Sequence, residues 1–151
     1  MVDVEQALAL DLDEQVVDVE RGRLRLFATT IGETDPRYSD VAVAQSHGHR
    51  DLPVPPTFLF GLEIEAPDSF AYLPTLGIDM RWILHGEQSF TYHSMVHAGD
   101  RLTFRPRIVD VTVKQEGALV LLVKETEVLR SDEVVATLGT TIVVRVPREA
   151  R

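Results

Sequence analysis

Glu33, Asp35 and Tyr38 place two carboxyl groups and a phenol within six residues, and Pro36 fixes one backbone angle between them. A site that moves protons needs groups that accept them, donate them and hold their neighbours in place, and this turn carries residue types suited to all three. The same residues also read as an acidic turn followed by a helix capped at Ser39. Farther along, His85 and Glu87 stand two apart, a spacing that in an extended chain points both to one face and lets the carboxylate tune the imidazole. A short His-x-Glu pair equally suits a structural or surface role.

The elements that must position these groups follow from apolar periodicity. Leu24, Phe27, Ala28 and Ile31 recur at helical spacing, which predicts a helix over 22–31 with its apolar face inward, Arg21, Arg23 and Arg25 in water, and Gly32 as its stop. A short helical segment runs from Ser39 toward Gly48. A third helix is entered through Pro55 and Pro56, buries Phe58 and Leu62 with support from Leu59 and Phe60, and is limited by Pro67. From about Gln88 the pattern turns to strands, with Phe90, Tyr92, Ser94 and Val96 on one parity. Leu102, Phe104 and Ile108 share a parity that Val109, Val111 and Val113 do not, so a bulge is expected near Pro106. Runs at 118–129 and 133–146 meet at Ser131-Asp132, and the second alternates Val134, Ala136, Leu138, Thr140, Ile142 and Val144. Helices first and an antiparallel meander later predict an α+β chain with a helix covering one face of the sheet. The alternating row is expected to pair with a further chain if it lies on an edge.

Gly32-Glu33-Thr34-Asp35-Pro36-Arg37-Tyr38 resembles the Gly-Asp-x-Asn-Pro-apolar-His signature of the MaoC-like (R)-specific enoyl thioester hydratases and dehydratases. Val54-Pro55-Pro56-Thr57-Phe58, the stretch from His85 to His93, and Ala98-Gly99-Asp100-Arg101-Leu102 are similar, in order and spacing, to the N-terminal-type dehydratase domain of that family. The resemblance implies a hotdog fold, a curved antiparallel sheet wrapped around a central helix, as one domain over residues 1–151. It implies reversible hydration of a trans-2-enoyl thioester to a 3-hydroxyacyl thioester, carried by coenzyme A or acyl carrier protein, with no cofactor. The family's catalytic Asp and His fall on Glu33 and Tyr38, its Asn on Asp35, and its oxyanion-binding helix start on Thr57.

Adding water across the double bond requires a base, an acid and donors to the thioester oxygen. Glu33 keeps a carboxylate one methylene farther out. A phenol, whose pKa in water is near ~10, does not take up protons at neutral pH as imidazole does. The resemblance implies a homodimer or a heterodimer with another hotdog subunit, and those two replacements favour a non-catalytic partner that supplies acyl-binding surface while the other subunit keeps the Asp/His pair. Arg81 and Trp82, just ahead of His85 and Glu87, are candidates to line a cleft for a coenzyme A phosphate or pantetheine arm. A hotdog thioesterase is the further alternative, with Glu63 and Glu65 as the acids of the third helical segment.

Bulk properties narrow the partners. Of 151 residues, 44% are hydrophobic, enough for a core, and 15 basic against 24 acidic residues leave a formal charge of −9 that opposes nucleic acid and anionic membranes. Seven acids and no Lys or Arg in the first twenty residues do not suit a secretory signal, and these residues together with 147–151 are expected to be flexible. The absence of cysteine suits a cytoplasmic setting and excludes thiolate chemistry. His47 and His49 lack a third ligand nearby, and His93 and His97 are expected on a solvated sheet face, so no metal site is expected.

Overall fold

The alternation that ends at Val144 becomes β5 (Glu133–Arg145), in which Ala136, Leu138, Thr140, Ile142 and Val144 are buried. Four other strands join it: β1 (Gln15–Asp18), β2 (Ile83–Tyr92), β3 (Arg101–Lys114) and β4 (Leu119–Arg130). The computed structural model describes residues 2–145 and places all five in one antiparallel sheet ordered β1-β3-β4-β5-β2. β5 therefore lies inside the sheet, between β4 and β2, instead of forming an edge. Its apolar row faces the core, and β1 and β2 are the edges.

The core side of the sheet receives α4 (Phe58–Glu63), whose Phe58, Leu59 and Leu62 are buried with Leu102, Phe104, Val128 and Leu138. A curved antiparallel sheet around this buried helix is the hotdog fold. The helix ends at Glu63, well before Pro67, and both prolines that lead into it precede its first turn. α2 (Arg21–Thr30) buries Leu24 and Ala28, with Phe27 packed on the same cluster. Ile31 does not continue that face: it caps the helix and is 54% exposed, because the chain has already begun to leave through Gly32 at φ +74°. α3 (Val41–Ser46) starts one residue later than expected, since the Asp40 carboxylate accepts the free amides of Ala42 and Val43 and Ser39 does not cap.

The acidic N-terminal residues form a helix and the first strand. α1 (Val4–Leu8) is capped by Asp3, its Ala7 is fully buried, and Val17 of β1 pairs opposite Leu102. The acids point outward while a sparse set of small apolar residues anchors the segment, a pattern too thin to outweigh seven charges when read in one dimension. Short α5 (Tyr72–Thr75) follows α4 and buries Leu73. Residues 147–151, also expected to be flexible, lie outside the described residues.

Two irregularities shape the strands. β3 runs straight through Pro106, which pairs with Thr126, and the slip comes at Val109, between Ile108 and Asp110. β2 begins at Ile83, five residues before the alternation becomes legible, because Gly86 is left out of its pairing with β5. A Cβ on Gly86 would stand 2.7 Å from the Val143 side chain and 3.2 Å from the Thr141 carbonyl, so this bulge needs glycine.

The turn Ala98-Gly99-Asp100 ties the sheet to the segment before α4. Asp100, 4% exposed, accepts the His97 amide at 2.9 Å and the guanidinium groups of Arg50 and Arg130. Burial pushes its carboxyl up, but the hydrogen bonds from Arg50 and the His97 amide, with the nearby positive charges, hold it below the usual range. Its stabilising contribution is thus complete above the unfolded value of ~3.9 and is lost as pH falls through the lower folded value. Asp100→Asn is expected to lower the melting temperature at pH 7, and the gap from the parent should narrow as thermal melts are taken down from pH 5 to pH 3.

Candidate functional site

The acidic turn leaves α2 as a braced structure. The Glu33 carboxylate accepts the Asp35 amide at 2.8 Å, and Asp35 in turn accepts the Arg37 amide at 2.9 Å and the Arg37 guanidinium. Pro36–Tyr38 makes a single 3-10 turn capped by Asp35. The Arg37 guanidinium and amide bring the Asp35 carboxyl down to about 2, so it is an anion at any neutral pH and is committed to holding the turn. Glu33 is exposed, Tyr38 half-buried, and the Tyr38 amide donates to the Asp35 carbonyl at 3.1 Å.

This turn sits at the end of a helix that rests on the start of α4. The Phe27 and Phe58 rings lie 4.8 Å apart, and Arg23 stacks over Phe58 while pairing with Glu65 at 2.5 Å. Thr57, immediately before α4, has φ +74°, a left-handed conformation that costs energy for a β-branched residue. Its amide donates to the Tyr92 hydroxyl at 3.1 Å. Tyr92 was not legible as a site residue. Its signal was the strand parity it shares with Phe90, on whose ring it stacks at 6.0 Å, and only the closure of β2 over the start of α4 brings the hydroxyl to Thr57.

The bulge at Gly86 reverses the expected relation of His85 and Glu87. His85 pairs opposite buried Ile142 and faces the core side, where its ring lies 5.0 Å from Phe60, whereas Glu87 pairs opposite Thr141 on the other face. The two do not form an acid–imidazole pair. Arg81 is held by Asp79 at 2.6 Å on the surface, and Trp82 packs against an apolar cluster that contains Leu73, Ile78 and Ile142 and is separate from the one around α4. No hydrogen bond, ion pair or ring contact among the described residues joins either to the Glu33 turn or to Thr57. His97 is also not on a solvated face: it is buried with its Nε2 3.2 Å from the Nδ1 of His49, and burial, then the Arg50 and His49 charges, push its pKa down despite Asp100. His93 stays on the surface against Thr137.

A family model described as FAS1-like, dehydratase domain region, matches residues 7–138. The chain belongs to that family. A UPF0336 protein of Streptomyces coelicolor is 35% identical over 133 residues, covering 88% of either chain. Among solved structures, a chain of the truncated HadBC (3R-hydroxyacyl-ACP dehydratase) complex of Mycobacterium tuberculosis is 22% identical, with a TM-score of 0.75 over 89% of this chain and 99% of that one. A MaoC-like dehydratase reaches a TM-score of 0.81 at 22% identity, over 95% of this chain and 44% of that one. The fold is thus that of MaoC-like dehydratases. No helix among the described residues is long and apolar enough to cross a membrane.

In this FAS1-like dehydratase-region chain the two acids of the central helical segment have different fates. Glu65 is a surface partner of Arg23, while Glu63 is buried, paired with Lys124 at 2.7 Å and accepting the Thr126 hydroxyl. Both members of the Glu63–Lys124 pair are about nineteen-twentieths buried, with 5% and 6% of their side chains exposed. Removing one partner strands a charge in the core. Glu63→Leu alone is therefore expected to cost about 3–5 kcal/mol in urea unfolding, and adding Lys124→Met should recover most of that loss.

Proposed function

We propose that this chain is an acyl thioester hydratase/dehydratase subunit. It acts on the trans-2-enoyl/3-hydroxyacyl pair, carried by coenzyme A or acyl carrier protein, together with another hotdog subunit that brings the decisive Asp/His pair. The observation that carries this reading is the signature turn itself: it follows α2, whose Phe27 ring packs on Phe58 at the start of α4, yet its carboxylates brace the backbone and Tyr38 stands where the resembled enzymes have imidazole. The likeness to a chain of a 3R-hydroxyacyl-ACP dehydratase complex adds support for a multi-subunit assembly.

In the forward direction hydroxide adds to C3 of the enoyl thioester, a proton is delivered to C2, and negative charge passes through the thioester carbonyl oxygen. Thr57 lies at the helix start that binds this oxygen in the resembled enzymes. Its amide now donates to Tyr92, so the carbonyl must either replace the phenol oxygen or accept the Tyr92 O–H that this bond leaves available. Glu33 and Tyr38 offer one carboxylate and one hydroxyl for water, and Asp35 with Arg37 sets the shape of their loop. The β2 edge, ten residues long with Phe90 and Tyr92 toward its inner face, is the place for the second hotdog subunit to cover.

The purified chain alone should hydrate crotonyl-coenzyme A and longer enoyl homologues at less than about one hundredth of the rate of a complex with an Asp/His-bearing hotdog subunit, with no thiol release from either. Full-rate hydration by the lone chain, lowered at least about 100-fold by Glu33→Gln, would move catalysis into this chain and end the helper reading. The pair Glu33→Asp with Tyr38→His is expected to give the lone, well-folded protein measurable hydratase activity, followed by loss of the enoyl absorbance.

A further inference from the structure

The outer face of the sheet has no use in the reading above. The core occupies the side to which Val120, Leu122, Ile142 and Val144 point, so the alternate residues of the same strands face away from it. Such a face on an antiparallel sheet is ordinarily polar. Here Leu84, Val143 and Leu121 stand side by side across β2, β5 and β4, with Leu119 and Val123 in the rows to either side on β4. Leu84 is 53% exposed, and the other four are half-buried.

Charge is divided between the two ends of this apolar patch. In the row nearer the β3–β4 turn, Lys114 and Arg145 stand on either side of Leu119. In the opposite row Asp110 and Glu87 lie at the two ends, with Val123 and Thr141 between them. Both cations are therefore at one end and both anions at the other. All four side chains are exposed, and none has an ion-pair partner among the described residues, whereas Arg107 and Glu125 in the next row pair with each other. Asp110 accepts the Thr112 hydroxyl at 2.9 Å, which keeps its carboxylate on the outer face.

This arrangement is complementary to itself. A two-fold axis lying along the Thr112-Leu121-Val143-Leu84 row turns a second sheet over and reverses its strands, so each row of cations meets a row of anions. On β4 the flanking rows are two residues from that axis, about 7 Å to either side, so they come opposite one another when aligned sheets pack about 10 Å apart. We propose that the outer face binds the same face of a second copy of this chain, with Leu84, Leu121 and Val143 packed about the axis, Lys114 against the partner's Asp110 and Arg145 against the partner's Glu87. The division of charge is what commits the face to a second copy. The contact is separate from the β2 edge and does not rest on the activity proposed above.

The test is the mass of the purified full chain by sedimentation equilibrium at about 1–200 µM. A concentration-dependent doubling is expected, and it should be weaker at ~0.5 M than at ~0.1 M salt. Lys114→Glu or Asp110→Lys sets like charges together at two symmetry-related contacts and should raise the dissociation constant at least about tenfold, with the melting temperature kept. Both substitutions in one chain exchange the two ends and should restore the constant to within about threefold. Lys114 and Asp110 lie on β3, separated from β2 by β4 and β5, so association through the β2 edge would not respond to them. A mass that stays constant over the range, a dissociation constant unmoved by either reversal in folded protein, or a double variant no tighter than the single ones would each overturn the proposal.

Discussion

Burial of α4 against the sheet, through Phe58, Leu59 and Leu62, is the contact on which the rest of the molecule depends. A helix this short does not hold itself together in water, because the first turn fixes several dihedrals for one hydrogen bond. Phe58, Leu59 and Leu62 supply what backbone bonding cannot, removing apolar surface from water at roughly 25 cal/mol per Å². Everything that bears on chemistry is then placed relative to this helix. Its start follows Thr57, its first ring receives Phe27 of α2, and its last residue, Glu63, pairs with Lys124 in the core.

Polar groups around the helix are organised as braces more than as free reagents. Asp35 is held by Arg37, Asp51 by Arg21 at 2.6 Å, Asp79 by Arg81, and Asp100 gathers Arg50, Arg130 and the His97 amide. A carboxylate tied to a guanidinium keeps its charge and its position, and both make it a poor proton acceptor. Asp35 of the signature turn belongs to this pattern, tied to Arg37 and so committed to the shape of the loop. The Glu63–Lys124 pair differs, since its carboxylate retains an unpartnered oxygen inside the protein.

Much of the architecture was visible in one dimension. The α2 face of Leu24, Phe27 and Ala28, the stop at Gly32 and the alternation from Ala136 to Val144 follow from periodicities of 3.6 and 2 that survive in the structure. Val109, three residues beyond Pro106, is where the parity break falls, because proline is tolerated in the strand and the extra residue is not. α1 and β1 were hidden by their charges. The Gly86 bulge was hidden by the assumption of an unbroken strand, and with it went the pairing of His85 with Glu87.

The sequence by itself determined the types of the elements from α2 onward that carry a clear period, the family resemblance and the acidic turn after α2, because these depend on neighbours within a few residues and on the residue types present. Tertiary structure alone decided that β5 is internal, that His85 and Glu87 face apart, that the Tyr92 hydroxyl meets the Thr57 amide across 35 residues of sequence, and that Glu63 meets Lys124 in the core. Such meetings depend on strand order, on a one-residue slip that reverses faces, and on which polar atoms are left without water once the core closes. Those are properties of packing between distant segments, and no local pattern encodes them.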